Sequence, residues 1–167
     1  MKRGSIEISF GMIFSIIIII ALIGVAVYAI TSFLDFSESA QVGLFYEDFQ
    51  KNIDGVWSSA TTNRVVSFSI PNSINFVCFG SILNNVDSGN YNLQLKKLRE
   101  ESSRFEQENS NVFLYPPSSA KDLAFKKINK IDTSGLGSFS CFEVKSGKVN
   151  IRLSKGEFES LVKIQRE

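Results

Sequence analysis

The chain has no histidine. That absence removes the commonest general base and the commonest metal ligand. Cysteine is scarce too. Cys78 and Cys141 stand far apart with no Cys-x-x-Cys pairing, so a zinc site has no support. A dominant charge sign is also missing. There are 18 basic residues against 17 acidic ones and no long one-sign run, which argues against a nucleic-acid partner, because phosphate binding needs a concentrated basic face. The nearest approach is Lys121, Lys126, Lys127 and Lys130, which reads as a solvated face beside Ile128 and Ile131. No nucleophile–base pair, paired-carboxylate motif or phosphate-cradling glycine loop occurs. The chain is therefore not expected to be an enzyme, and no cofactor, metal or small-molecule substrate is expected. Asp48 and Asp54 read as part of a helix's polar face, and Asp132-Thr133-Ser134-Gly135 as turn chemistry.

What is present in abundance is apolar sequence. Residues 8–34 carry no charge and include five consecutive isoleucines. A helix needs about 20 mostly apolar residues to cross a hydrocarbon core of about 30 Å, and this run is roughly 40 Å long as a helix. A cleaved secretory signal has a shorter apolar core of about 7–15 residues, although Val27-Tyr28-Ala29 has the small residues of a cleavage site. A core helix of a soluble protein would need apolar partners on every side. Lys2 and Arg3 precede the run, whereas Asp35, Glu38, Glu47 and Asp48 follow it before the next cation, Lys51. Positive charge collects on the cytoplasmic side, so the expected topology is a single pass in the cell membrane with the amino terminus inside and the long tail outside. The lipid bilayer is thus the first expected partner. An oxidising exterior lets Cys78 and Cys141 pair, since both lie in strand-like contexts; the alternative is two buried thiols acting as small apolar residues.

Beyond the span, Val42, Phe45, Phe49, Ile53 and Val56 recur at steps of three and four, with Trp57 alongside. That is a helical stripe, and Glu47, Asp48, Gln50, Lys51 and Asp54 make the opposing polar face. No proline interrupts residues 1–62, so one helix over about residues 5–58 is predicted, a rod of roughly 80 Å. Gly43 is its weakest point, and Trp57 is read as a core plug where rod meets head.

The remainder alternates in the manner of strands. Residues 64–70, 74–79, 111–115, 139–144, 148–153 and 161–164 read as strands, and Ser146-Gly147 is read as the turn of a hairpin between the last pair before Lys155-Gly156. Residues 93–105 read as one short amphipathic helix, and residues 122–131 are ambiguous. The expected fold class is α+β: a long N-terminal transmembrane helix extends into an amphipathic helix that packs on a small, mainly antiparallel β-rich head. The expected organisation is a basic cytoplasmic leader at 1–7, the span at 8–34, the amphipathic extension at 35–58 and an extracytoplasmic β-rich domain at 59–167.

The N-terminus Lys2-Arg3-Gly4-Ser5-Ile6-Glu7, followed at once by a long apolar helix, resembles the signal region of type IV pilin-like proteins, in particular archaeal ones. The resemblance covers about the first 60 residues, and the helix-plus-head layout is also similar. It implies cleavage between Gly4 and Ser5 by a prepilin-type peptidase on the cytoplasmic side, with the apolar helix left attached. It also implies a structural role, with copies of the chain or related pilin-like subunits as partners. Glu7 would then pair with a neighbour's terminal ammonium inside the apolar bundle, where a lone carboxylate is costly. The other reading of Glu7 is a helix-start residue favoured by the dipole and facing headgroups. The family usually places its glutamate five residues past the cut, whereas here it is third, and Lys2 and Arg3 replace the Gly-Gln of the archaeal pattern. The competing expectation is therefore an uncleaved, single-pass anchored binding or accessory protein of an envelope complex.

Overall fold

The computed structural model describes residues 10–83 and 89–166. Two units divide the chain, Met1–Ser37 and Glu38–Glu167. The leader residues Lys2, Arg3, Gly4, Ser5 and Glu7, and the loop residues 84–88, lie outside the described residues.

The first helix, α1, runs over Phe10–Trp57. In the first unit every residue from Gly11 to Leu34 is exposed. Its hydroxyls turn back on the helix: Ser15 Oγ donates to the Gly11 carbonyl at 2.8 Å, and Thr31 Oγ1 donates to the Val27 carbonyl at 3.1 Å.

In the second unit the same helix becomes one-sided. Val42, Phe45, Phe49, Ile53 and Val56 are buried, while Glu47 and Lys51 are exposed. Tyr46 joins the buried stripe, and its hydroxyl donates to the Leu123 carbonyl at 2.9 Å. Among the described residues the stripe faces eight strands in two four-stranded sheets. One sheet has the order β1 (Thr62–Ser69), β7 (Lys148–Lys155), β8 (Val162–Gln165), β5 (Ile131–Asp132). The other has the order β4 (Phe125–Lys126), β3 (Val112–Tyr115), β2 (Phe76–Gly80), β6 (Phe139–Glu143). Pairing is antiparallel except between β5 and β8, which are parallel.

The period-two alternation of the strands sorts their side chains into two cores. Phe68, Val149, Ile151, Leu153, Val162 and Ile164 from the first sheet meet Val77, Phe79, Val112 and Leu114 from the second, and the α1 stripe lies among them. The intervening residues of the second sheet, Cys78, Phe113, Phe139 and Cys141, point to its other face. There Leu95 and Leu98 of helix α2 (Asn92–Glu101) cover them. The second sheet is therefore buried on both faces.

Three expectations need correction. The predicted helix over 93–105 is two helices, α2 and α3 (Arg104–Asn109), divided at Ser102 and Ser103. Ser103 caps α3 reciprocally with Glu106, so its side chain favours a helix start over continuation. Ser146-Gly147 does form a tight turn, with both residues at positive φ and Lys145 and Lys148 exchanging backbone hydrogen bonds of 2.8 and 3.0 Å. The strands on either side nevertheless do not pair as a hairpin. β6 joins one sheet and β7 the other, so the turn is a corner between sheets. Trp57 is 40 % exposed and is not a core plug. Its ring lies under the Lys130 ammonium, 4.0 Å from the ring centroid, and its indole N–H donates to the Ser160 carbonyl at 2.9 Å. Asp54 keeps 47 % of its side chain in water, as expected of the polar face, with Lys130 Nζ 2.9 Å from its carboxylate. The ambiguous stretch 122–131 resolves into the two-residue strands β4 and β5 with turns around them. A further short helix, α4 (Pro117–Ala120), follows β3.

Gly80 shows where backbone geometry demands glycine. It sits at φ +120°, and a Cβ there would fall 2.3 Å from the Ser138 carbonyl oxygen.

Candidate functional site

The feature with the clearest physical demand on its surroundings is the exposed apolar stretch of α1. Ile16, Ile17, Ile18, Ile19 and Ile20 are 42–64 % exposed, and Phe14, Leu22, Tyr28 and Phe33 are exposed as well. Water penalises such a surface in proportion to its area. Hydrocarbon does not, provided that polar groups are satisfied internally. The backbone satisfies itself as a helix, and the Ser15 and Thr31 hydroxyls satisfy themselves on carbonyls one turn back. By length and composition α1 is able to cross a membrane, and it is the one helix among the described residues that is. Residues 11–34 span about 36 Å at about 1.5 Å per residue.

In the head, the helix is fastened by an aromatic cluster. Phe49 stacks on Phe45 at 5.8 Å and meets Phe68 edge-on at 5.1 Å and Phe79 at 5.7 Å. Burial pushes the Tyr46 phenol well above its ordinary range, so it stays protonated and serves as a donor. At the helix end, Gln50 Nε2 donates to Asp54 Oδ1 at 3.3 Å, and Gln50 Oε1 accepts from the Asn129 N–H at 3.1 Å. With the Lys130–Asp54 pair these contacts clamp the last turns of α1 to the segment before β5.

Cys78 and Cys141 form a disulfide. They are direct partners in the β2–β6 register, with Cα atoms 3.9 Å apart, and both are buried. No free cysteine remains among the described residues.

Two open clefts flank Arg166. Its guanidinium lies over the Tyr91 ring, bonds the Tyr91 hydroxyl, and donates to Ser140 Oγ at 2.8 Å and the Cys141 carbonyl at 3.5 Å. One cleft, of about 610 Å³, is bordered by Ser67, Tyr91, Lys145, Lys148 and Asn150. Of its cations, Lys145 is paired with Glu143 at 3.2 Å. Around the β7–β8 connection, hydrogen bonds from Lys163 and from the Gly156 N–H hold the Glu159 carboxyl below its usual range. The same partnership with Glu159 raises Lys163. The Ser134 backbone and hydroxyl lower Asp132. These shifts belong to turn and surface ion pairs and do not gather in a cleft. Among the described residues, no group of three or more His, Cys, Asp or Glu side chains could hold a metal ion.

The helix-stripe residues and the cysteine pair chosen from the sequence thus come together in one head. Sequence reasoning missed Tyr46, whose signal was its place beside Phe45 on the widening apolar face. It also missed the Lys130–Trp57 stack, which no local spacing reveals. No family model, curated protein or solved structure matches the chain.

Proposed function

We propose that the protein is a pilin-like structural subunit of a cell-surface assembly, held in the cell membrane by α1 with its N-terminus cytoplasmic and its head outside. The observation that carries this reading is the division of labour along α1. Residues 11–34 offer an all-round apolar surface, whereas residues 42–56 bury a single stripe in a disulfide-closed β-rich head. The disulfide supports an oxidising exterior for the head. The uncharged surface of residues 11–34 suits packing against lipid or against copies of itself. In this reading a prepilin-type peptidase cuts before Ser5, Glu7 pairs with a neighbouring subunit, and the partners are copies of the chain or related subunits. No catalytic role is proposed.

The second reading, an uncleaved anchored accessory protein of an envelope complex, is favoured by Lys2 and Arg3 standing immediately before Gly4. Intact mass of membrane-extracted protein separates the two. A species beginning at Ser5, together with loss of assembly in Glu7→Ala, is the expected result. A monomeric protein that retains Met1 or Lys2 and functions normally as Glu7→Ala overturns the pilin-like reading.

A further inference from the structure

β1 ends its sheet, and its outer edge is open. The phase of its peptide groups follows from the register. The Ile70 N–H donates to the Gly147 carbonyl at 2.9 Å, one step beyond the Ser69–Lys148 pair, while Lys148 spends its own N–H and C=O on Lys145. Counting back by twos, Phe68, Val66 and Arg64 turn their peptide groups toward β7. Ser69, Ser67, Val65 and Asn63 turn theirs outward. Among the described residues no hydrogen bond reaches the peptide groups of these four, and their side chains are exposed.

Open edges are usually blunted by proline, a bulge, a short strand or a charge. β1 pairs with β7 through eight consecutive residues without a bulge, and contains neither proline nor glycine. Its single charge, Arg64, is drawn to Asn52 Oδ1 at 3.1 Å. The other edges differ. β4 and β5 are two residues long, and Arg166 covers the β6 edge by bonding the Cys141 carbonyl.

A groove of about 400 Å³ runs beside this edge, lined by Leu44, Phe45 and Asp48 of α1 and by Ser67, Ser69 and Ile70. Leu44 is 64 % exposed there, an apolar side chain on the face of α1 away from the buried stripe. Asp48 is the one charged side chain in the lining, and Glu47 beside it is exposed.

We propose that the open edge of β1 and this groove accept an extended peptide strand of a partner protein by strand addition. The groove's chemistry defines the occupant. Backbone hydrogen bonds to Asn63, Val65, Ser67 and Ser69 supply affinity. An apolar side chain of the guest covers Leu44, and a lysine or arginine reaches Asp48. Proline-rich guests lack the donors. The inference stands apart from the pilin-like reading, because it needs only the head.

The test uses the full-length, oxidised chain in detergent. In the free protein, amide hydrogen exchange is fast at Val65 and Ser67 and slow at Val66 and Phe68. A fluorescent peptide of alternating valine and threonine with one central lysine binds and protects the Val65 and Ser67 amides. The same peptide N-methylated at alternate residues does not bind. Ser67→Pro removes an outward N–H and no ladder hydrogen bond, so it preserves the fold and weakens binding at least about tenfold. Asp48→Asn weakens the lysine peptide and leaves an all-neutral one unchanged. Protection of Val65 and Ser67 in the free chain overturns the proposal, as does equal binding of the N-methylated peptide or no binding by either. A Ser67→Pro variant that keeps the Cys78–Cys141 bond and binds normally overturns it as well.

Discussion

Lys155 reaches from the end of β7 to the carbonyl oxygen of Trp57, 2.7 Å away, and also to that of Ser59 at 3.0 Å. The last turn of α1 contains no basic residue of its own, so this lysine supplies the cation that the helix's C-terminal dipole favours. It also satisfies a carbonyl that the helix leaves without an intrahelical partner. Lys155→Met keeps the stem and deletes the charge. It should destabilise the head by about 1 kcal/mol, read as a lower urea midpoint at unchanged slope.

Phe49 is fully buried among Phe45, Phe68 and Phe79. Phe49→Ala should cost about 3–5 kcal/mol, the range for deleting a buried aromatic side chain. Leu44→Ala, on the exposed side of the same helix, should change stability by less than about 0.5 kcal/mol. Denaturant unfolding of the two variants measures the contrast. Equal effects would mean that the helix is not fastened along this stripe.

The disulfide closes a separation of 63 residues. The chain-entropy model gives roughly 4 kcal/mol for a loop of that size. Non-reducing peptide mapping should recover Cys78 linked to Cys141, and the double replacement by alanine should lower the unfolding midpoint substantially. Two alkylatable thiols in protein prepared without reductant would contradict the pairing.

Two carboxyls and one lysine give the stability profile its expected pH edges. Asp132 and Glu159 are lowered in the folded chain, by hydrogen bonds from Ser134 and from Lys163 with Gly156. Their contribution is present above about pH 4 and is lost as pH falls through their depressed values. Lys163 is raised by Glu159, so its contribution is complete below about pH 10 and fades as pH rises through its raised value. Asp132→Asn should therefore flatten the acid limb of a pH-dependent unfolding series and move the alkaline limb only slightly, because Glu159 raises Lys163 more than Asp132 does.

Topology is testable directly. With Lys2 and Arg3 inside, protease added to intact cells should digest the head, while a tag placed before Lys2 stays protected. Protection of the head would reverse the proposed orientation.

The sequence announced the helix because periodicity is a local signal. Val42, Phe45, Phe49, Ile53 and Val56 lie on one face at any plausible helix geometry, and that face is buried. The turn at Ser146-Gly147 was equally local and equally visible. What no window of sequence contains is the choice of partner: β7 pairs with β1, some 80 residues earlier, and with β8, not with β6. Trp57 misled for a related reason. A large ring at the end of an apolar stripe suggests burial, but here Lys130 covers it while leaving it partly in water. The split between α2 and α3 was legible in Ser103-x-x-Glu106, a capping signature outweighed by the apolar spacing of Leu95, Leu98 and Phe105. Strands of two residues, such as β4 and β5, carry too little pattern to be read at all.

The Cys78–Cys141 link also decides how the head would respond to tension. The residues between the two cysteines form a covalent loop that a force applied from α1 to Arg166 bypasses, because the load passes through the sulfur bridge. With a separation of 63 residues, at about 3.5 Å per residue, roughly 220 Å of contour length is hidden from stretching. A pulling trace on oxidised protein should fall short of the reduced one by that amount. Under load β1, β7 and β8 unravel, while the looped part of the head keeps its contour length in reserve.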